Sequence, residues 1–433
     1  MARRRQSIDL WVYLGNRLVG TLHKAASGAV SFRYDGAWLA TEDALPVSLS
    51  LPLREEPWRG EPVTAVFENL LPDSIDLRRQ VAERVGARGT DAVSLLAAIG
   101  HDCVGALRFL PADTPPADPA GITGEPLTED AIARLLNGLA RAPLGLGPDD
   151  PFRISIAGAQ EKTALLWHEG RWWKPHGATP TTHILKPPIG LLPDGRDLSD
   201  SVENEFYCLR LCAAFGLPVA RAEIHAFGNT KALVVERFDR RWSPDGRRLL
   251  RLPQEDCCQA LGTPPGRKYQ NMGGPGLVDI LTLLRGSETP AEDQKTVLKA
   301  QFLFWLMGAT DGHAKNFSLH LGRRGRFRLT PLYDILSTQP LHDAGQLSRR
   351  EMQLALSVGN NTHYRLDEIC GRHFLQTATA ARVPAHLMQE AMDEVIAAAK
   401  RALDETAARL PPGFPARIPD SISRALRARL GRL

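Results

Sequence analysis

Near Arg240 the chain changes period, and that change restricts the folds open to it. Before that point apolar side chains mostly alternate, as they do along a strand with one buried face. Leu10, Val12 and Leu14 interleave with Trp11 and Tyr13, and Gly15-Asn16 supplies a turn before Leu18-Val19. A similar rhythm runs over 29–39, and further strands are expected at 154–156, 163–167, 182–186 and 233–238. Two helices interrupt them. One starts near Asp73 or Ser74, either of which can cap it, and carries Ile75, Leu77, Val81 and Val85 on its apolar side. The other spans 201–215 and is closed by Gly216. After Arg240 the pattern is mostly helical to the end, while 111–126 and 143–151 read as loops. The expectation is an α+β chain in three parts: a β-rich N-terminal region (1–112), a second β-rich lobe with one important helix (113–240) and a larger helical lobe (241–433). A length of 433 residues exceeds what one hydrophobic core usually organises, in keeping with that division.

Composition narrows the function classes. The formal net charge is +4 on 53 basic and 49 acidic side chains, too small an excess to demand nucleic acid as the partner. Basic ends (Arg3, Arg4, Arg5; Arg424, Arg427, Arg429, Arg432) read as solvated termini that could touch phosphate. The cysteines at 103, 208, 212, 257, 258 and 370 make no four-ligand zinc pattern, and buried reduced thiols are expected. No apolar run reaches the 18 residues of a membrane span, and a cytoplasmic protein is expected.

Thr310-Asp311-Gly312-His313-Ala314-Lys315-Asn316 carries the most chemistry. It follows the apolar segment 302–307, read as a buried helix ending at Gly308. On a loop so anchored, a carboxylate can accept the proton of an attacking hydroxyl while an amide oxygen five residues later coordinates magnesium. Eighteen residues beyond Asn316 stands Asp334, after a strand-like 326–329, placed to add the carboxylate that a hard cation prefers. Lys186 ends a strand before Pro187-Pro188, so its stem can aim an ammonium at phosphate oxygens. Glu203 and Glu205 of the following helix are its candidate partners, with Glu205 preferred. Small residues in Ser155-Ile-Ala157-Gly158-Ala159-Gln160-Glu161-Lys162 let backbone N–H groups approach phosphate, although one glycine does not make a G-x-G-x-x-G loop. There is no GxxxxGK[ST], which argues against a P-loop NTPase. Glu236-Arg-Phe238-Asp-Arg240 lies between the lobes, where backbone groups could meet adenine.

These strings, together with Phe67-Glu-Asn-Leu-Leu-Pro72 and Arg251-Leu-Pro-Gln-Glu-Asp256, resemble the HipA kinases of toxin–antitoxin systems, in order and over nearly the whole chain. The resemblance implies a two-lobed, protein-kinase-like (PI3/4-kinase-like) fold and an ATP- and Mg2+-dependent serine/threonine kinase acting as a growth-arresting toxin. It implies Asp311 as base, Asn316 and Asp334 as metal ligands, and Lys186 on the ATP phosphates. The backbone of Glu236 and Phe238 would hold adenine, and the loop with Ala157, Gly158, Ala159, Gln160 and Lys162 would cover the phosphates. Ser155 would be the site of self-inactivating autophosphorylation. The implied partners are a small helix-turn-helix (HipB-like) antitoxin, operator DNA mainly through that antitoxin, and a glutamate-tRNA synthetase as substrate. Eukaryotic-type signatures are missing: Ala309-Thr310 precedes the base, His313 stands two after it, and Asp334 is followed by Ile-Leu. Any phosphate contact from His313 would depend on pH. Two other readings share parts of the pattern: a catalytically silent co-repressor bound to an antitoxin on operator DNA, and a small-molecule phosphotransferase.

Overall fold

The computed structural model describes residues 7–115, 121–147 and 150–433. Arg3, Arg4 and Arg5 lie outside the described residues. The N-terminal alternation becomes a five-stranded sheet of β1 (Ile8–Leu14), β2 (Arg17–Lys24), β3 (Val30–Tyr34), β4 (Trp58–Arg59) and β5 (Leu107–Pro111), in the order β4-β3-β2-β1-β5. One face buries Leu10, Val12, Leu22 and Phe32 against the helices Glu61–Glu68 and Ala92–Ile99. Phe32, Phe67 and Phe109 meet edge to face there, with ring centroids 5.6 and 5.5 Å apart. Ser74 caps the helix Ile75–Val85, its hydroxyl accepting from Leu77 N–H.

The second sheet has six antiparallel strands, β6 (Gly124–Leu127), β7 (Thr163–His168), β8 (Arg171–Pro175), β9 (His183–Lys186), β12 (Ala222–Phe227) and β13 (Thr230–Glu236), with a small hairpin β10–β11 (Gly190–Leu191, Asp197–Leu198) outside it. Their order is β12-β13-β9-β7-β8-β6. Two expectations need correcting. Part of the stretch read as a linker forms the edge strand β6; its residues 116–120 lie outside the described residues. The strand expected at 154–156 does not form. Ile154 and Ile156 are buried in the N-terminal core with Phe152, and this packing, not a strand ladder, places the segment.

The helix Ser201–Ala214 packs on β12 and β13 and is covered on its other side by helices of the third part, so it is buried nearly all round. At the centre of that part lies the helix Pro290–Met307, whose last eleven residues are all buried. A helix buried on every side must be wrapped; Ala385–Ala408, Arg417–Leu430 and Gly371–Ala380 wrap it. The third part is less purely helical than expected. A three-stranded sheet (Gln254–Asp256, Ser318–Leu321, Phe327–Leu329) and a ribbon pairing Arg240–Trp242 with Leu249–Arg251 flank the junction with the second sheet. Among the described residues no helix is long and apolar enough to cross a membrane.

Candidate active site

Lys186, at the end of β9, places its ammonium between two carboxylates: Glu205 Oε1 and Oε2 at 2.8 and 3.0 Å, and Asp334 Oδ1 at 2.7 Å. Glu205 is therefore the helix glutamate at Lys186. Glu203, two residues earlier on the helix, pairs with Lys231 of β13. Burial alone would lower the Lys186 pKa, but Asp334 and Glu205 outweigh it and hold the pKa above its ordinary value. The two carboxylates respond differently. Burial would raise the Asp334 carboxyl, yet Lys186 and Lys162 hold it well below the usual range, whereas burial leaves Glu205 raised. Asp334 stands at φ +58°, a left-handed conformation that Asp tolerates better than most non-glycine residues. It follows the strand Phe327–Leu329 by a short extended segment rather than ending it.

The loop after Gly308 is fixed through its backbone. Asp311 O accepts from His313 N–H at 2.8 Å and from Asn316 Nδ2 at 2.9 Å. Asn316 Nδ2 also reaches Asp334 O at 3.4 Å. Both contacts use the amide nitrogen, which leaves Asn316 Oδ1 as the oxygen for a cation. Gly312 permits the turn, because a Cβ there would stand 2.7 Å from the Phe304 ring. Asp311 itself is exposed, and its Oδ1 accepts from Tyr269 OH at 2.6 Å. His313 is buried, stands edge-on to Tyr269 and has its pKa lowered, chiefly by burial. Lys315 turns inward, to Asn69 O and Oδ1 at 3.1 and 2.7 Å and to Asp256 Oδ2 at 3.0 Å.

The loop bearing Ala157, Gly158 and Ala159 is held by the same N-terminal segment. Gly158 bridges Pro72, and its carbonyl accepts from Asp73 N–H at 3.3 Å. Lys162 folds back to donate to Ala157 O at 2.8 Å, which only a glycine at 158 allows: φ there is +109° and a Cβ would lie 2.4 Å from Lys162 Nζ. Gln160 donates to Pro187 O at 3.2 Å. Ser155 is fully buried, donating its hydroxyl to Leu70 O at 2.7 Å and its N–H to Asp102 O at 2.9 Å. Glu236 is exposed at the end of β13, and Phe238, half-buried, packs against Tyr333 and His320.

The chain is similar to known proteins over most of its length. Residues 154–403 match the family model described as HipA-like C-terminal domain, and residues 10–110 match HipA N-terminal domain. A protein of Sinorhizobium fredii named "Putative kinase Y4mE" is 39% identical over 331 residues, 76% of each chain. The chain belongs to the HipA family. It is a protein kinase of two-lobed α+β fold. The serine/threonine-protein kinase toxin HipA of Shewanella oneidensis is 28% identical over 365 residues, covering 82% of this chain and 79% of that one. A structure of HipA from that organism with HipB and its operator DNA superposes with a TM-score of 0.79 at 25% identity, covering 98% of this chain and 97% of the other.

The hinge of this HipA-family chain also holds a buried network of charged side chains. The residues between Glu236 and Phe238 and beyond them are not mere backbone carriers. Arg237, Asp239 and Arg240 are buried and clamp the N-terminal region. Asp102 accepts from Arg240 Nη2 and Arg251 Nε at 2.9 Å each, from Arg237 Nη1 at 3.4 Å, and from Thr181 N–H and hydroxyl at 3.0 and 2.8 Å. Asp239 bonds both Arg237 and Arg240 and takes Gly105 N–H at 2.7 Å. The ribbon that sets Arg240 opposite Arg251 makes this convergence possible.

Proposed function

We propose that this kinase transfers the γ-phosphoryl group of ATP, with magnesium, to serine or threonine hydroxyls of a protein, with Asp311 as base and Asn316 and Asp334 as metal ligands. The observation that carries the reading is that Lys186, Glu205 and Asp334, from three separate segments, converge beside the loop that bears Asp311 and Asn316. The donor set suits magnesium: one carboxylate and one free amide oxygen are hard ligands, few enough to leave room for phosphate oxygens. When bound, the metal neutralises charge on the phosphates. Lys186, oriented by Glu205, contacts those phosphates, and the backbone of Glu236 and Phe238 holds adenine. The 157–160 loop and Lys162 close over the triphosphate. Asp311 removes the hydroxyl proton as the acceptor oxygen bonds to the γ-phosphorus and the bond to the β–γ bridging oxygen breaks, leaving ADP. The N-terminal subdomain, 1–112, seats this apparatus.

The chain acts as a growth-arresting toxin partnered by a HipB-like helix-turn-helix antitoxin and, through it, operator DNA. Support comes from the HipA, HipB and operator DNA complex of the Shewanella protein. The family resemblance points to a glutamate-tRNA synthetase as acceptor and to Ser155 as a self-inactivating site. Phosphorylation adds about −1.5 to −2 of charge. On the Ser155 hydroxyl it would meet the Leu70 carbonyl in a buried site, so the loop must leave. Incubation with γ-labelled ATP and magnesium is expected to label Ser155, as read by phosphosite mapping. A Ser155→Ala chain should remain active towards other acceptors for longer. Absence of label on a chain whose Ser155 is bare would make the silent co-repressor the leading reading.

Lys162 adds a pH dependence. Burial first, then Lys186, lowers its pKa to about 8, against the attraction of Asp334, Asp73 and Glu205. Raising the pH therefore removes a positive charge from the phosphate site. ATP affinity is expected to fall by up to about tenfold from pH 7 to pH 9 in calorimetric titrations. Lys162→Met should bind more weakly at pH 7 and lack that pH slope; an unchanged slope would place the titration elsewhere.

A further inference from the structure

Asp311 is exposed, and a carboxylate on the surface of a loop turns freely unless something holds it. Among the described residues one side chain donates to it, Tyr269, whose hydroxyl meets Oδ1 at 2.6 Å. The residues that commonly surround such a base offer little here. Ala309 and Thr310 precede it, and His313, two positions on, is buried with Nδ1 unpartnered.

Tyr269 is itself firmly placed. Its carbonyl accepts from Met272 N–H and Gly274 N–H, both at 3.0 Å, which folds 269–274 into a tight turn. The residues around it are tied down on three sides: Arg267 to Glu61 at 2.6 Å, Lys268 to Asp73 at 2.7 Å, and Gln270 Oε1 to Ser357 N–H at 2.8 Å. The phenol ring stands edge-on to the His313 ring, centroids 5.0 Å apart. Burial, then the neighbouring Asp311 carboxylate, raises the phenol pKa, so the hydroxyl stays a donor throughout the working pH range.

From this geometry we infer that Tyr269 is a positioning residue for phosphotransfer: it fixes the Asp311 carboxylate through Oδ1 and leaves Oδ2 to take the acceptor's proton. The inference rests on the assignment of Asp311 as base. It also extends the working site to a turn reached 42 residues before the base and braced on the N-terminal region through Glu61 and Asp73. The opposite role, a phenol that blocks the base until substrate displaces it, would make removal of the hydroxyl activating.

The test uses the full chain with γ-labelled ATP and magnesium, following label at Ser155 against ATP concentration for wild type, Tyr269→Phe and Asp311→Asn. Loss of one hydrogen bond to a charged group should lower the maximal rate of Tyr269→Phe about 10- to 100-fold. Half-saturating ATP should stay within about twofold, because no ATP-binding group is touched. A structural defect would instead lower the melting temperature and weaken ATP saturation together, and that pattern overturns the inference. So does a maximal rate equal to or above wild type. An Asp311→Asn chain as active as wild type would bring down the base assignment itself. A dead Asp311→Asn beside an unimpaired Tyr269→Phe would bring down this inference alone.

Discussion

Asp311→Asn is expected to lower phosphotransfer by about 10²- to 10⁴-fold while leaving ATP binding intact. The two effects separate because the loop is not held by the side chain that changes. His313 N–H and Asn316 Nδ2 bond the Asp311 carbonyl, which the substitution preserves, and Lys186 with Glu205 and Asp334 lies on other segments. Asparagine also keeps an oxygen for the Tyr269 hydroxyl. What it loses is the ability to accept a proton from the attacking hydroxyl. Measured ATP affinity within about twofold of wild type, with label transfer near background, is the expected pair of results. Normal transfer would remove Asp311 from the base role. Loss of ATP binding would show that the negative charge shapes the nucleotide site as well.

The second large effect concerns stability. Asp102→Asn is expected to destabilise the chain by about 3–5 kcal/mol, the range for breaking a buried ion pair and stranding its partners. Here three arginines, 237, 240 and 251, converge on one carboxylate whose side chain is 3% exposed, so water cannot replace the lost charge. Urea unfolding checks this, with the first transition the informative one because the network joins the N-terminal region to the rest. A change below about 1 kcal/mol would mean that Asp239 alone compensates the cluster. The same carboxylate sets an acid limit. Burial would raise its pKa, but Arg240, Arg251 and Arg237 together hold it well below the usual range. Its stabilisation is therefore complete above the ordinary Asp pKa of about 4 and is lost as the pH falls further below that value.

The sequence was most informative where chemistry is contiguous. Asp311 and Asn316 share one loop after an unmistakably buried helix, and Asp334 follows at a fixed short distance, so order and spacing carried the information. Lys186 was readable because strand pattern and Pro187-Pro188 mark where β9 stops. The choice between Glu203 and Glu205 was harder: both reach lysines of the second sheet, and only the seating of the helix on that sheet decides which of them meets Lys186. Tyr269 gave no signal, since nothing in a Gly/Pro-rich turn says that it folds back onto a loop far along the chain. The Asp102 cluster was equally silent. Its members come from four segments, and a buried arginine looks like an exposed one until the fold is known. The strand wrongly expected at 154–156 teaches the complementary lesson, that alternation reports burial of one side and not the presence of a ladder.

Ser155 is held by two carbonyls, those of Leu70 and Asp102, and both belong to the N-terminal region. Its loop is gripped from the same side, at Pro72 and Asp73. The stability of the closed loop is thus thermodynamically linked to how tightly that region sits on the two lobes. A binding partner could then govern this enzyme without approaching its nucleotide or its base. If phosphorylation of Ser155 retires the enzyme as proposed, tightening the seat of the N-terminal region would prolong each molecule's period of service and loosening it would shorten that period.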